Sequence, residues 1–371
     1  MQSLSQQIDT IVASAIERRV FPGAVVLIAR RDSVLHYAAY GATMYDAAEA
    51  WPVRRDTIYD VASLTKMFTA TAALRLAEIG RLDLQAPAGD YLPDFRRRDV
   101  RVWHLLTHTS GLDIRLSTLR QAGRDGLLAA VYRAEIVHAP GTHVAYTNVN
   151  SLLLGEIVAR QHGTPLDGAL RDLVIGPLGL RDTQFRPPAA LLQRIAPTEL
   201  DEEWRGGLVH GSVHDESTHA LGGVAGHAGL FSTAEDLDAF CRAWLPADDG
   251  RRMIDDVSNE AGYRRSSAVY RPILTPETIL LATTNQTAGL NAACGLGWMI
   301  DRPNFMGAAP AGTFGHTGFT GPAIAVAPRR QLIVVVLSNR VHPRRGHPHH
   351  HPVTAAILNA ALGAVADPPA S

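Results

Sequence analysis

Tyr59-Asp60-Val61-Ala62-Ser63-Leu64-Thr65-Lys66 is the stretch from which the rest of the chain can be ordered. Its last four residues place a hydroxyl and an amine three positions apart. Apolar residues then recur at helical spacing from Leu64 to Glu78, so Ser63 is expected at a helix N-terminus. On a helix, residues three apart share a face with Cβ atoms about 5–6 Å apart, close enough for the two side chains to hydrogen-bond. Serine is a poor nucleophile at its own pKa, and a lysine whose pKa has been lowered can take its proton. Backbone N–H groups at the helix start favour negative charge on the oxygen. The plainer alternative for so common a pattern is a serine N-cap followed by a surface lysine.

Composition singles out the same lysine. Of 35 Lys and Arg residues, every one but Lys66 is arginine. Arginine holds its proton in a protein, whereas a desolvated lysine can release it, so position 66 is a candidate for chemistry.

Outward from this stretch, Gly23 to Arg30 and Ser33 to Tyr40 are apolar, partly β-branched runs separated by Arg31-Asp32, a hairpin. Gly295 to Asp301, Gly321 to Ala327 and Gln331 to Ser338 are expected to be three further strands, the last two joined at Pro328-Arg329-Arg330. Between the two sets, Val102–Leu106, Asn150–Gln161, Leu166–Ile175 and Ala234–Trp244 repeat apolar residues with a helical period. A helix around Ile8, Ile11, Val12, Ala15 and Ile16 opens the chain, and one from Val353 to Leu362 closes it after the His/Pro tract at 342–352. The pattern predicts an α+β fold: an antiparallel sheet built from N- and C-terminal segments, flanked by helices, with an inserted, mostly helical region.

With 371 residues, 46% of them hydrophobic, the chain is long enough for one large domain. A net charge of −1 gives no overall attraction to nucleic acid or an acidic membrane. The run Leu332 to Leu337 falls far short of the ~20 residues a membrane span needs. Residues 1–7 lack the basic and apolar regions of a signal peptide, so a cytoplasmic location is expected. Cys241 and Cys294 do not amount to a disulfide framework.

Two further motifs join Ser63 and Lys66. Tyr146-Thr147-Asn148 lies in a turn before a helix, and His316-Thr317-Gly318 is followed by Phe319 and a strand. At these three motifs the chain resembles the serine β-lactamase and penicillin-binding-protein superfamily, in the branch of class C β-lactamases, D-alanyl-D-alanine carboxypeptidases and family VIII esterases. The likeness extends to Trp103–Leu112 and Gly226–Leu237 and covers roughly Phe21 to Asn339. It implies a single β-lactamase/transpeptidase-like catalytic domain over 1–371. An α/β subdomain would take about 1–66 and 220–371, and a helical subdomain about 67–219.

The resemblance further implies that Ser63 attacks an acyl carbonyl while Lys66 and Tyr146 relay protons. Asn148 would orient the substrate, and His316, Thr317 and Gly318 would edge it. The backbone N–H groups of Ser63 and Phe319 would hold the oxyanion. His316 stands where many relatives have lysine; a histidine is mostly neutral at pH 7, which argues against an efficient β-lactamase more than against catalysis. An esterase or β-lactamase-related amide and ester hydrolase acting on a small molecule is therefore expected. The alternatives are a D-amino-acid peptidase or carboxypeptidase, an acyltransferase, or a non-catalytic penicillin-binding module.

No cofactor is expected, and no metal. His210, His214, His219 and His227 are dense, but their spacing matches no zinc pattern, and hydrogen-bonded or solvated rings are the expectation. The histidines at 347 and 349–351 could take up nickel or zinc adventitiously. His108 invites a Ser-His-Asp triad, but no Gly-x-Ser-x-Gly elbow flanks Ser63, so a packing role is expected for it. Oligomeric state is not legible.

Overall fold

The computed structural model describes residues 2–45, 48, 50–245 and 273–365, so part of the stretch assigned to the α/β subdomain, residues 246–272, lies outside the described residues. Helix α1 (Leu4–Glu17) starts from a capping box between Ser3 and Gln6 and buries Ile8, Val12 and Ala15. It leads into the hairpin β1 (Gly23–Arg30) and β2 (Ser33–Gly41). A short β3 (Tyr59–Asp60) precedes a 3₁₀ turn at Ala62–Leu64 and helix α2 (Thr65–Glu78). The helical region continues with α3 (Val102–Leu106), α4 (Gly123–Tyr132), α5 (Asn148–His162) and α6 (Leu166–Leu170). The chain returns through β4 (Gln184–Phe185), the ribbon β5 (Leu200–Asp201) and β6 (Gly207–Leu208), α7 (Glu216–Ala220), β7 (Leu230–Ser232) and α8 (Ala234–Arg242). After residue 273 come α9 (Pro276–Thr283), β8 (Met299–Ile300), α10 (Pro303–Met306), β9 (Phe314–Thr317), β10 (Ala323–Ala327), β11 (Leu332–Ser338) and α11 (His351–Ala364).

The main sheet runs β2-β1-β11-β10-β9-β8, and its ladders are antiparallel, so N- and C-terminal segments do meet in one sheet. The strand from the chain start lies directly on the last one, with Val26 opposite Val336. Both faces are covered. Val25, Leu27, Ile333, Val335 and Leu337 enter the large core shared with α2, α5 and α8, while Val26, Ile28, Val334 and Val336 pack under α1 and α11. A sheet covered on both faces needs apolar residues at successive positions, which is why β10 and β11 read as unbroken apolar runs.

Helix α2 is the hub. Ten consecutive residues, Thr65 to Leu74, are buried, so the helix is enclosed all round and carries no polar face. Phe68 stacks on Phe240 of α8 with ring centroids 4.2 Å apart.

Several boundaries differ from expectation, each for a local reason. Ser63 sits in the 3₁₀ turn ahead of α2, and α5 begins at Asn148, not Asn150, because Thr147 takes the extended N-cap conformation. The expected strand from Gly295 shrinks to Met299–Ile300; Gly295 N–H closes a turn on Trp298 O, and Gly297 adopts φ 88°. The helix expected over Leu166–Ile175 changes to a π-helical turn from Arg171. Pro352 opens α11 from its first turn, extending that helix back to His351. Cys241 and Cys294 are both free and buried.

Candidate active site

Ser63 is carried by a braced, unusual turn. Ala62 adopts φ 45°, a left-handed conformation that an alanine holds only when its surroundings impose it. The buried Asp60 carboxylate imposes it: one oxygen accepts the Ala62 N–H at 2.8 Å, the other the His214 N–H at 2.7 Å. Thr320, from the turn between β9 and β10, donates to the Asp60 carbonyl at 2.8 Å. A Cβ on Gly318 would stand 2.7 Å from the Val61 carbonyl oxygen, so the His316-Thr317-Gly318 edge can lie against the serine turn only because residue 318 is glycine.

Lys66 follows one turn later and points back along the helix. Its Nζ stands 2.8 Å from Ser63 Oγ, 3.0 Å from Asn148 Oδ1 and 3.1 Å from the His227 carbonyl oxygen. It is 2% exposed. Burial pulls its pKa down to about 7, against the opposing pull of the Asp215 charge. The Nζ can therefore be neutral near pH 7, with a hydroxyl 2.8 Å away.

The turn before α5 brings in Tyr146. Its ring lies over Lys66, 5.0 Å from Nζ to the centroid, and between two histidines, with centroids 4.9 Å from His108 and 5.6 Å from His316. The ring surface is 44% exposed, yet the hydroxyl end is deep enough that desolvation raises the phenol above its usual range, the Ser63 hydroxyl pulling the other way. The phenol thus keeps its proton across neutral pH. His108 hydrogen-bonds Asn150 at 3.2 Å, and burial followed by the Lys66 charge holds it down to about 3. His316 is fully buried and stays well below the usual histidine range for the same two reasons. Its Nδ1 lies 2.9 Å from the Thr317 carbonyl, and its Nε2 is buried without a partner among the described residues. Both rings that hold Tyr146 are neutral.

Phe319 is half-exposed, stacked on His214 at 5.7 Å, and among the described residues its backbone N–H donates no hydrogen bond. Ser63, Lys66, Tyr146 and Asn148 thus come together, with His316 against Tyr146 and Gly318 against the serine turn.

Several contributors were not legible in the sequence. Asp60 lies within the serine stretch, and nothing local marks it as the brace. His227 contributes a main-chain carbonyl, which no side-chain pattern advertises. Its ring Nε2 faces Asp215, Ser217 and Thr218 at 3.2, 2.9 and 3.1 Å, while His214 pairs with Glu199 at 2.8 Å and His210 with the Ile195 carbonyl at 2.9 Å. These rings have separate partners and do not converge. His349, His350 and His351 do bring one ring nitrogen each within 4.8 Å of one another, away from this cluster.

The Beta-lactamase family model matches residues 8–359. A putative D-alanyl-D-alanine carboxypeptidase of Escherichia coli (strain K12) is 30% identical over 94% of this chain and 83% of its own length. A protein of the same description from Salmonella typhimurium is 28% identical over 94% and 86%. Among solved structures, EstCE1, a hydrolase with promiscuous acyltransferase activity, superposes with a TM-score of 0.75 at 22% identity, covering 97% of this chain and 98% of that one. A class C beta-lactamase gives 0.71 at 20% identity, covering 96% and 97%. At those identities the two structures speak for the fold.

Proposed function

The chain belongs to the beta-lactamase family of serine hydrolases, and we propose that it cleaves small acyl substrates through an ester on Ser63. The observation that carries this reading is the 2.8 Å approach of Lys66 Nζ, a nitrogen brought down to about 7 by burial, to Ser63 Oγ.

Neutral Lys66 takes the Ser63 proton as Oγ bonds to the acyl carbonyl carbon. The developing oxyanion is met by the N–H groups of Ser63 and Phe319. Tyr146, still protonated, gives its proton to the departing amine or alkoxide as the carbon–heteroatom bond breaks, and recovers one from Lys66. Water then attacks the acyl-serine by the reverse relay, releasing the acid and restoring Ser63. Asn148, hydrogen-bonded to Lys66, holds that nitrogen and orients the acyl group, and the His316 to Gly318 edge aligns the substrate.

Peptides ending in D-alanine are the first substrate class, supported by the description given to the carboxypeptidase relatives. A second reading, short-chain esters, is favoured by the neutral His316, which offers no fixed charge to an anionic substrate.

The test is a panel of p-nitrophenyl esters, a chromogenic cephalosporin and D-alanyl peptides, run with the unmodified enzyme and Ser63→Ala. Turnover should vanish in the variant, a loss on the order of 10⁶ in comparable serine enzymes. A fluorophosphonate or fluorescent penicillin should label Ser63. Undiminished turnover in the variant, or labelling at another residue, would overturn the assignment.

A further inference from the structure

Three histidines outside the active site are grouped as metal ligands are. His349 and His350 lie near the end of the His/Pro tract, and His351 is the first residue of α11. One ring nitrogen from each lies within 4.8 Å of the other two. Imidazole nitrogens on one tetrahedral zinc stand about 3.3 Å apart, so the rings need close by no more than about 1.5 Å. The two outer rings have that freedom. His349 is exposed, its Nδ1 held among the described residues only by a 3.4 Å contact from the His351 N–H, and His351 is half-buried.

His350 separates this group from a run of solvated imidazoles. It is 2% exposed, and neither of its ring nitrogens has a hydrogen bond among the described residues. A buried polar ring left unmet is costly. The Pro322 carbonyl, just before β10, favours a proton on this ring without reaching hydrogen-bond geometry. One nitrogen can thus turn its hydrogen toward Pro322 while the lone pair of the other is unused. His351 has an outer partner of the kind that metal-bound histidines have: the Asn304 amide of α10 lies 3.0 Å from its Nδ1. Turned so that its oxygen accepts the Nδ1–H, that amide fixes the tautomer that leaves Nε2 for an ion.

The donor set says which ion. The group contains neither carboxylate nor thiolate. Three imidazoles suit zinc, nickel or copper, whereas magnesium and calcium take oxygen. The positive end of α11 and the Arg340 charge, which reaches all three rings, oppose a cation and so exclude ions held by charge alone.

We propose that His349, His350 and His351 bind one divalent ion of the zinc class, with its fourth position open to water, and that this ion staples the end of the His/Pro tract to α10 and α11. The site is separate from the Ser63 chemistry and does not rest on it.

Full-length protein without an affinity tag, stripped with a chelator, is titrated calorimetrically with zinc chloride. One tight equivalent per chain should bind and should raise Tm. Asn304→Ala should weaken that equivalent about ten- to a hundredfold, the usual effect of losing an outer partner, and His350→Gln should weaken it further. His347→Ala, outside the trio, should leave it unchanged. Should His350→Gln fail to fold, His349→Ala at its exposed position takes its place with the same expectation. Unchanged affinity in the folded His350→Gln or His349→Ala variant would mean adventitious binding by solvated imidazoles and would overturn the site. So would the lack of any tight equivalent, a loss in His347→Ala equal to that in His350→Gln, or displacement of the zinc by about a hundredfold excess of magnesium.

Discussion

The backbone carbonyl oxygen of His227 stands 3.1 Å from Lys66 Nζ, joining residues 161 positions apart. It reaches that point because Gly226, before it, packs backbone to backbone on α5: a Cβ there would meet the Ser151 carbonyl oxygen at 2.1 Å and the Gly155 Cα at 2.9 Å. Thr69 of α2 pins the same loop by donating to the Gly226 carbonyl at 2.9 Å. The polar surroundings of the lysine thus depend on a contact in which no side chain can be accommodated.

Gly226→Ala is therefore expected to lower stability by about 1–3 kcal/mol, the usual range for overpacking, and to reduce turnover beyond what partial unfolding explains. Thermal melts with kcat measured well below the transition check both parts. A variant with unchanged Tm would mean that the loop can back away from α5 freely.

The pH profile should have one limb near neutrality. Lys66 is brought down to about 7 by burial, and only its neutral form can accept the Ser63 proton, so kcat/KM should rise as pH rises through about 7. Tyr146 stays protonated over this range, and His108 and His316 stay neutral, so none of them adds a second limb. Lys66→Arg keeps the charge but cannot release a proton, so it should abolish the limb and lower kcat by about 10²–10⁴-fold. A folded arginine variant retaining more than about a tenth of kcat would transfer the base role to Tyr146.

Asp215 tunes the same limb. Its charge raises the Lys66 pKa, while its own carboxyl is held well below the usual range, burial being outweighed by His227, Ser217 and Thr218. Asp215→Asn can still accept the Thr218 N–H at the start of α7, so the fold should persist. Without the negative charge the Lys66 pKa falls further, and the limb should move to lower pH. An unmoved limb would show that Asp215 does not act on the lysine.

The sequence made the sheet and the proximity of Ser63 to Lys66 legible for different reasons. Strands buried on both faces, such as Leu332–Ser338, leave an unbroken apolar run, and a solitary lysine three residues after a serine stands out among arginines. What stayed hidden is what acts through the main chain or across long separations. The Asp60 carboxylate bonds Ala62 N–H two residues away and His214 N–H 154 positions away, and the second of these has no local signature. The histidines looked like possible metal ligands in a string of letters, and in space His210, His214 and His227 each turn to a different acceptor or hydroxyl.

His316→Lys tests the charge at the substrate edge from the opposite side. Position 316 is fully buried in β9, and that burial, followed by the charge of nearby Lys66, holds the histidine neutral. A lysine there adds a second ammonium beside the first, and like charges disfavour one another, so the Lys66 pKa should fall and the kcat/KM limb should move to lower pH. The new amine would itself be neutral part of the time. Whenever charged, it would provide the fixed cation that histidine withholds, so turnover of carboxylate-bearing substrates such as a cephalosporin should rise relative to p-nitrophenyl acetate. Tyr146 loses one of the two histidine rings that flank it in the exchange, which should lower kcat on every substrate alike and leave the ratio between substrates to report the charge. The ratio of kcat/KM values, taken above and below pH 7 for both substrates, is the measurement. If it does not change at either pH, the charge at 316 plays no part in choosing the substrate, and the preference must be set farther along the edge, at Phe319.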